Sequence, residues 1–191
     1  MMSLTWRWQL GKGILVTGGV RSGKSQFVQE MALRLEQPVL FIATAEVGDD
    51  EMKCRIAEHR KARPAGWRTL EATDYIGRKI EQSTANAQTV IIDCITLLVS
   101  NIVTGSCLPD GQVDTGKVEK KLNTEIEELI RCIQQSKATF IMVTNEVGLG
   151  LVPVNPMGRF YRDLLGKANQ RLARQADEVY LMVAGLPVRV K

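Results

Sequence analysis

The sequence predicts a single α/β domain in which a mostly parallel sheet is covered by helices on both faces. Short, unbroken apolar runs alternate with longer amphipathic ones along most of the chain. A glycine-rich turn joins the first apolar run to the first amphipathic segment. The length of 191 residues suits one domain with a substantial core. Strands that stay apolar along their whole length are buried on both faces, as strands of a parallel sheet between helical layers are.

In order, "GILVTG" has the pattern of a buried strand, and "KSQFVQEMALRLE" after the glycine turn has a helical period. "PVLFIATA" is the second strand. "DDEMKCRIAEHRKAR" reads as a helix, with Asp49, Asp50 and Glu51 suited to its positive N-terminal end and Pro64 stopping it. "TVIIDC" and "TFIMVTNE" are further apolar strands. Between them lie a polar loop, roughly Thr104 to Gly116, and the helix "KVEKKLNTEIEELIRCIQQ". "RFYRDLLGKANQRLARQA" is a long helix leading to the strand "EVYLMVAG". Gly185 and Pro187 mark a turn into "VRVK", which makes an antiparallel edge at the C-terminus. The domain spans residues 13–191, and residues 1–12, with Trp6 and Trp8, form a loosely attached N-terminal extension.

Composition narrows the function. A net charge of +4 is too small for a protein that coats nucleic acid, but it suits a polyanionic small molecule. Aromatic residues at 5% leave little for a strand-binding surface of stacked bases, which counts against a nucleic-acid-dependent ATPase. Cys54, Cys94, Cys107 and Cys132 are widely spaced without a zinc pattern, as expected of reduced thiols in a cytoplasmic protein. No run is apolar for long enough to suggest a signal peptide or membrane insertion.

"GGVRSGKS" fits G-x-x-x-x-G-K-[ST] through Gly18, Gly23, Lys24 and Ser25, directly after a strand and opening a helix. In such a P-loop, backbone N–H groups turn inward on phosphate oxygens and the helix N-terminus adds positive potential. Gly18, Gly19, Val20, Arg21, Ser22, Gly23, Lys24 and Ser25 are therefore nucleotide-binding candidates. Lys24 is expected on the β and γ phosphates and Ser25 on Mg²⁺. Asp93 ends "TVIID", at the strand end where an open α/β sheet binds its ligand. It is a candidate for the metal shell or a substrate hydroxyl, and alternatively for an N-cap of the following helix.

The chain has one histidine, His59, inside "RIAEHRKARPAGWR" among Arg55, Arg60, Lys61, Arg63 and Arg68. Met52, Ile56, His59 and Arg63 share a helical stripe. From spacing alone, a solvated basic helix face and a site for an anion both remain open.

"ILVTGGVRSGKS", "FIATAEVGDDEMKCRIAEHRKARPAGWRTLE", "VIIDCITLLVSN", "VTNEVGLGLVP" and "NQRLARQADEVYLMVAG" follow in an order and spacing that resembles the adenosylcobinamide kinase / adenosylcobinamide-phosphate guanylyltransferase family. The resemblance runs from Gly13 to Lys191. It implies a RecA-like sheet, a homotrimer, and two reactions in cobalamin nucleotide-loop assembly. Adenosylcobinamide is phosphorylated with ATP or GTP, and GMP is then moved from GTP onto that phosphate by way of a histidine. The resemblance places the covalent GMP on His59. It places GTP contacts on residues 18–25, on Thr44, Ala45 and Glu46, on Arg60, Lys61, Ala62 and Arg63, on Glu71 and on Asp93. Lys24 and Asp93 are the other catalytic candidates, and Ser25 and Asp93 the metal candidates. Asn145 and Glu146 are candidates to touch the corrinoid substrate. The alternative is a kinase of a small metabolite with no guanylyl transfer.

Overall fold

The computed structural model describes residues 11–46, 48, 50–61, 63–107 and 113–191, without the side chains of Glu51, Met52 and Arg55. Strand β1 (Gly13–Gly18) runs through the glycine turn into α1 (Lys24–Arg34), followed by β2 (Val39–Ala43) and α2 (Asp50–Lys61). Next come β3 (Arg68–Glu71), α3 (Ile76–Ser83), β4 (Thr89–Asp93), α4 (Ile95–Thr104) and α5 (Thr115–Gln135). Strand β5 (Thr139–Val143), α6 (Pro156–Gln175) and the hairpin of β6 (Glu178–Val183) and β7 (Leu186–Arg189) complete the order. Of the predicted extension, Gly11 and Lys12 are described. Gly11 donates its N–H to the Ser136 carbonyl and Lys12 pairs with Glu178, while residues 1–10 lie outside the described residues.

The described strands form one sheet in the order β3-β2-β4-β5-β1-β6-β7, parallel except for β7. Alternate residues of the central strands face opposite layers. Leu15, Leu40, Ile42, Val90, Ile92, Phe140 and Met142 pack toward the side that α3, α4, α5 and α6 cover. Ile14, Val16, Phe41, Ile91, Ile141 and Val143 pack with Val28 and Ala32 of α1 on the other side. Burial on both faces explains why these strands read as continuous apolar runs. Pro187, assigned from sequence to a turn, instead lies in β7 opposite Met182. An edge strand tolerates the missing N–H. The turn itself is Ala184–Gly185, both at positive φ, as a tight hairpin of this kind requires.

Local side-chain caps account for two of the helix starts. Asp114 caps α5 by accepting the Lys117 N–H, and Asn155 caps α6 by accepting the Gly158 N–H. Helix α3 has no cap of its own. The Glu125 carboxylate reaches across from α5 and accepts the Tyr75 and Ile76 N–H groups, both at 2.7 Å. That carboxylate is buried, and burial raises its pKa while the two N–H donors oppose the rise. Glu125→Ala would leave two donors at the start of α3 without an acceptor. It is expected to lower unfolding free energy by about 3 kcal/mol in urea titration. Glu125→Gln, which keeps one acceptor, should cost less, and equal effects of the two variants would show that the cap contributes little.

Candidate functional site at the C-terminal edge of the sheet

The phosphate loop takes a shape that only its glycines permit. Gly18 has a φ of 147°, and a Cβ there would lie 2.6 Å from the Met182 carbonyl oxygen and 2.8 Å from Ser22 Oγ. Gly23, with a φ of 92°, would put a Cβ 3.1 Å from Gly185 Cα. Gly185 also donates its N–H to the Ser22 carbonyl at 3.0 Å, so the β6–β7 turn braces the loop from behind. Gly19, Val20 and Arg21 are exposed, whereas Ser22 and Lys24 are buried. The Lys24 ammonium donates to the Gly18 and Gly19 carbonyls at 3.0 and 2.5 Å, and to Ser22 Oγ at 3.4 Å.

Strand β5 lies between β1 and β4, so the loop and Asp93 flank its end. The Ser25 hydroxyl spans that gap and donates to Asp93 Oδ2 at 3.2 Å. Burial raises the Asp93 carboxyl above its ordinary value; His59, the Ser25 hydrogen bond, Arg63 and Lys24 pull it back down. One half-buried carboxylate therefore accepts a hydrogen bond from the start of α1 and lies within electrostatic reach of the histidine segment. The N-cap role considered for Asp93 is not what the chain uses, because the N-cap position of α4 is Cys94, one residue on, which makes no side-chain cap bond.

Helix α2 ends at Lys61, short of Pro64, with Ile56 and His59 half-buried and Cys54, Ala57, Glu58, Arg60 and Lys61 exposed. Arg63 lies beyond the helix end. Its guanidinium sits 3.8 Å above the Phe41 ring, and its Nε is buried with no hydrogen-bond partner among the described residues. Burial lowers the Arg63 pKa from its ordinary value, Asp93 opposes that, and Arg60 adds to it. Arg60 forms an ion pair with Glu71. Arg60, Arg63, Trp67, Thr69 and Glu71 line a cavity of about 440 Å³. Trp67, which stacks on Phe41 at 6.3 Å, was not singled out in the sequence.

Residues 14–190 match the family described as cobinamide kinase / cobinamide phosphate guanyltransferase, CobU. The chain belongs to that family. The bifunctional adenosylcobalamin biosynthesis protein CobU of Salmonella typhimurium is 42% identical over 180 residues, covering 93% of this chain and 99% of the relative. The protein of the same name from Escherichia coli is 41% identical, with the same coverage of both chains. The bifunctional protein CobP of Pseudomonas aeruginosa is 37% identical, covering 93% of this chain and 96% of the relative. Membership of the CobU family makes the chain a cobinamide kinase and a cobinamide phosphate guanylyltransferase, working on nucleotide substrates. It sets aside the reading of a kinase without guanylyl transfer.

The positions that resemblance to the CobU family marks as nucleotide contacts are not equally placed for it. Every hydrogen-bonding group of Thr44 is engaged. Its hydroxyl donates to the Cys94 carbonyl and accepts the Cys94 N–H, its N–H donates to the Asp93 carbonyl, and its carbonyl accepts from Asn101. Thr44 is thus a strut that fixes the ends of β2 and β4. Ala45 is half-buried and Glu46 exposed. Ala62 lies outside the described residues, as does Asp49. No group of three or more potential ligands from His, Cys, Asp and Glu occurs among the described residues, and no described helix is long and apolar enough to cross a membrane.

Beyond β5, a buried polar network underlies "TNE". Thr144 donates to Asn169 Oδ1 at 2.7 Å, Asn169 donates to the Asn145 carbonyl at 3.1 Å, and the Asn145 N–H donates to the Thr96 hydroxyl at 2.7 Å. The Glu146 N–H donates to the Gly18 carbonyl at 3.1 Å, which ties this segment to the phosphate loop. Sequence patterning could flag Asn145 and Glu146 at a strand end but not the partners from α4 and α6.

The raised carboxyl of Asp93 has a consequence for stability. The folded chain holds that proton more tightly than the unfolded chain does, so the free protein loses stability as pH rises through the folded-state value. Asp93→Asn removes the charge while keeping the shape. Its thermal midpoint is expected above that of the native chain near neutral pH, with the difference shrinking in mild acid. A variant that melts lower than the native chain near neutral pH would contradict this.

Proposed function

We propose that both reactions use the crevice around Asp93, with the phosphate loop serving the kinase step and His59 serving the guanylyl transfer. The supporting observation is that Asp93 accepts a hydrogen bond from Ser25, while His59, Arg63 and Lys24 lie within electrostatic reach of the same carboxylate. A histidine attacks phosphorus through a neutral ring nitrogen. Attack on the α-phosphorus of GTP forms an N–P bond and breaks the bond to the departing pyrophosphate. The phosphate of cobinamide phosphate then attacks the same phosphorus, which frees the ring and yields the GDP-linked product.

Arg63 and Arg60 would bind the phosphates and stabilise the charge that gathers on the leaving pyrophosphate. The otherwise unpartnered Arg63 Nε is a donor that a phosphate oxygen would satisfy. The cavity they share with Trp67 and Glu71 offers the guanine base a flat aromatic wall and a carboxylate for its N–H groups.

In the kinase step the residues chiefly position and neutralise. The glycine N–H groups and Lys24 hold the β and γ phosphates of ATP or GTP. The Ser25 hydroxyl and the Asp93 carboxylate are two hard oxygen donors already within hydrogen-bond distance, a pair that suits Mg²⁺. When bound there, Mg²⁺ would offset charge on the nucleotide phosphates. The substrate is adenosylcobinamide and the setting the cytoplasm. By the same resemblance the chain assembles as a homotrimer, for which the exposed Leu186, Val188 and Val190 of the β6–β7 edge offer apolar contact surface.

Two experiments separate the roles. With α-labelled GTP, the native chain should acquire an acid-labile, base-stable label that His59→Ala lacks, while His59→Ala still phosphorylates adenosylcobinamide. Label retained by His59→Ala would rule out the covalent assignment, since no other histidine exists in the chain. Lys24→Ala should reduce kinase turnover by at least about 100-fold, and undiminished phosphorylation would show that the phosphate loop is not the kinase site. Light scattering that reports a single-chain mass would refute the trimer.

A further inference from the structure

Residues 147–157, which run from the β5–α6 connection into the first turn of α6, carry the most exposed large aliphatic side chains among the described residues. Leu151 and Val154 are each 96% exposed and Leu149 is 83%, with Val152 also largely exposed and Met157 partly so. Exposure of this kind usually accompanies a loosely held loop, but the backbone here is pinned. Arg159 donates to the Pro153 and Val154 carbonyls at 3.0 and 2.6 Å. Asn155 caps the following helix, and the Gly158 backbone lies close enough to Pro153 that a Cβ on it would meet the proline ring at 2.8 Å. At the other end, the Gly148 N–H donates to Glu146 Oε1 at 2.8 Å, and the Glu146 N–H is bound to the phosphate loop. The result is an apolar segment anchored at both ends, which lowers the ordering cost a partner must meet.

Its position follows from the sheet order. Because β5 is inserted between β1 and β4, this segment leaves the sheet between the phosphate loop and Asp93. Its first residues therefore adjoin the phosphate loop, through the Glu146 N–H on the Gly18 carbonyl, and the rest of a molecule phosphorylated in the crevice can extend over the apolar residues that follow.

We propose that Leu149, Leu151, Val152 and Val154 form the docking surface for the corrin macrocycle of cobinamide. This deepens the assignment of the crevice made above and rests on it. A corrin ring presents methyl-bearing faces and a rim of amide arms, one of which ends in the hydroxyl to be phosphorylated. Aliphatic side chains match the faces by burial of apolar surface. The Asn145 and Glu146 segment, between platform and phosphate loop, lies on the path of the reactive arm. A second copy of the chain is the competing occupant, but the position beside the phosphate loop favours the substrate.

The test compares native chain with Leu151→Asn and with the combined Leu149→Asn, Leu151→Asn, Val154→Thr variant. Kinase rates are measured against cobinamide and, separately, against nucleotide, with light scattering and thermal melting as controls. The combined variant should raise KM for cobinamide by about tenfold or more, leave KM for nucleotide and molecular mass unchanged, and melt like the native chain. The single variant should give a smaller shift of the same kind. An unchanged KM for cobinamide in both variants, or a change of mass in either, would overturn the proposal. Failure of the native chain to phosphorylate cobinamide would instead refute the functional assignment itself.

Discussion

The site is organised around the half-buried Asp93 carboxylate, whose partial loss of hydration at the end of a central strand must be offset. A buried carboxylate persists when hydrogen bonds and opposite charges compensate for its lost hydration. Here the compensating groups come from separate parts of the chain, with Ser25 and Lys24 following β1 and His59 and Arg63 following β2. The strand order thus brings the phosphate-binding turn and the chain's only histidine to the same carboxylate. Thr44 makes that arrangement stiff, because its side chain and backbone bind the residues on either side of the β4 end.

How much of this could be seen in the sequence depended on the distance over which each feature is encoded. The phosphate loop is local, since its glycines and lysine act on neighbouring backbone, and its strand-turn-helix setting is visible in a window of twenty residues or so. The long buried strands and the amphipathic helices were equally legible. Strand β3 was not, because "RTLE" is short, largely exposed and has no apolar run. Helix α3 was missed for a related reason. Its N-terminus is capped by Glu125 from α5, a partner far away in sequence, where a sequence reader looks for a serine or aspartate next door.

At the site, the histidine segment was conspicuous, but whether it was surface or site could not be decided from spacing. Its closeness to Asp93 depends on the order of strands in the sheet, which hydrophobic periodicity does not encode. Trp67 was hidden in the same way. A single aromatic after a proline and a glycine has no pattern, and its place in the cavity wall arises from stacking on Phe41 of a neighbouring strand. Thr44 shows a further feature that patterning does not encode, a polar side chain at a strand's C-terminal end whose hydrogen bonds go to the neighbouring strand end.

The brace behind the phosphate loop has a consequence for how the protein is made. Gly18 and Gly23 are shaped to fit against Met182 and Gly185, and Ser22 accepts the Gly185 N–H. The loop thus emerges from the ribosome long before the hairpin that forms its rear wall. A nascent chain that stops short of β6 has the whole phosphate-binding motif and none of this support. The braced form of the loop, and whatever stability a bound nucleotide adds to that form, therefore belongs to the chain that has completed its last hairpin.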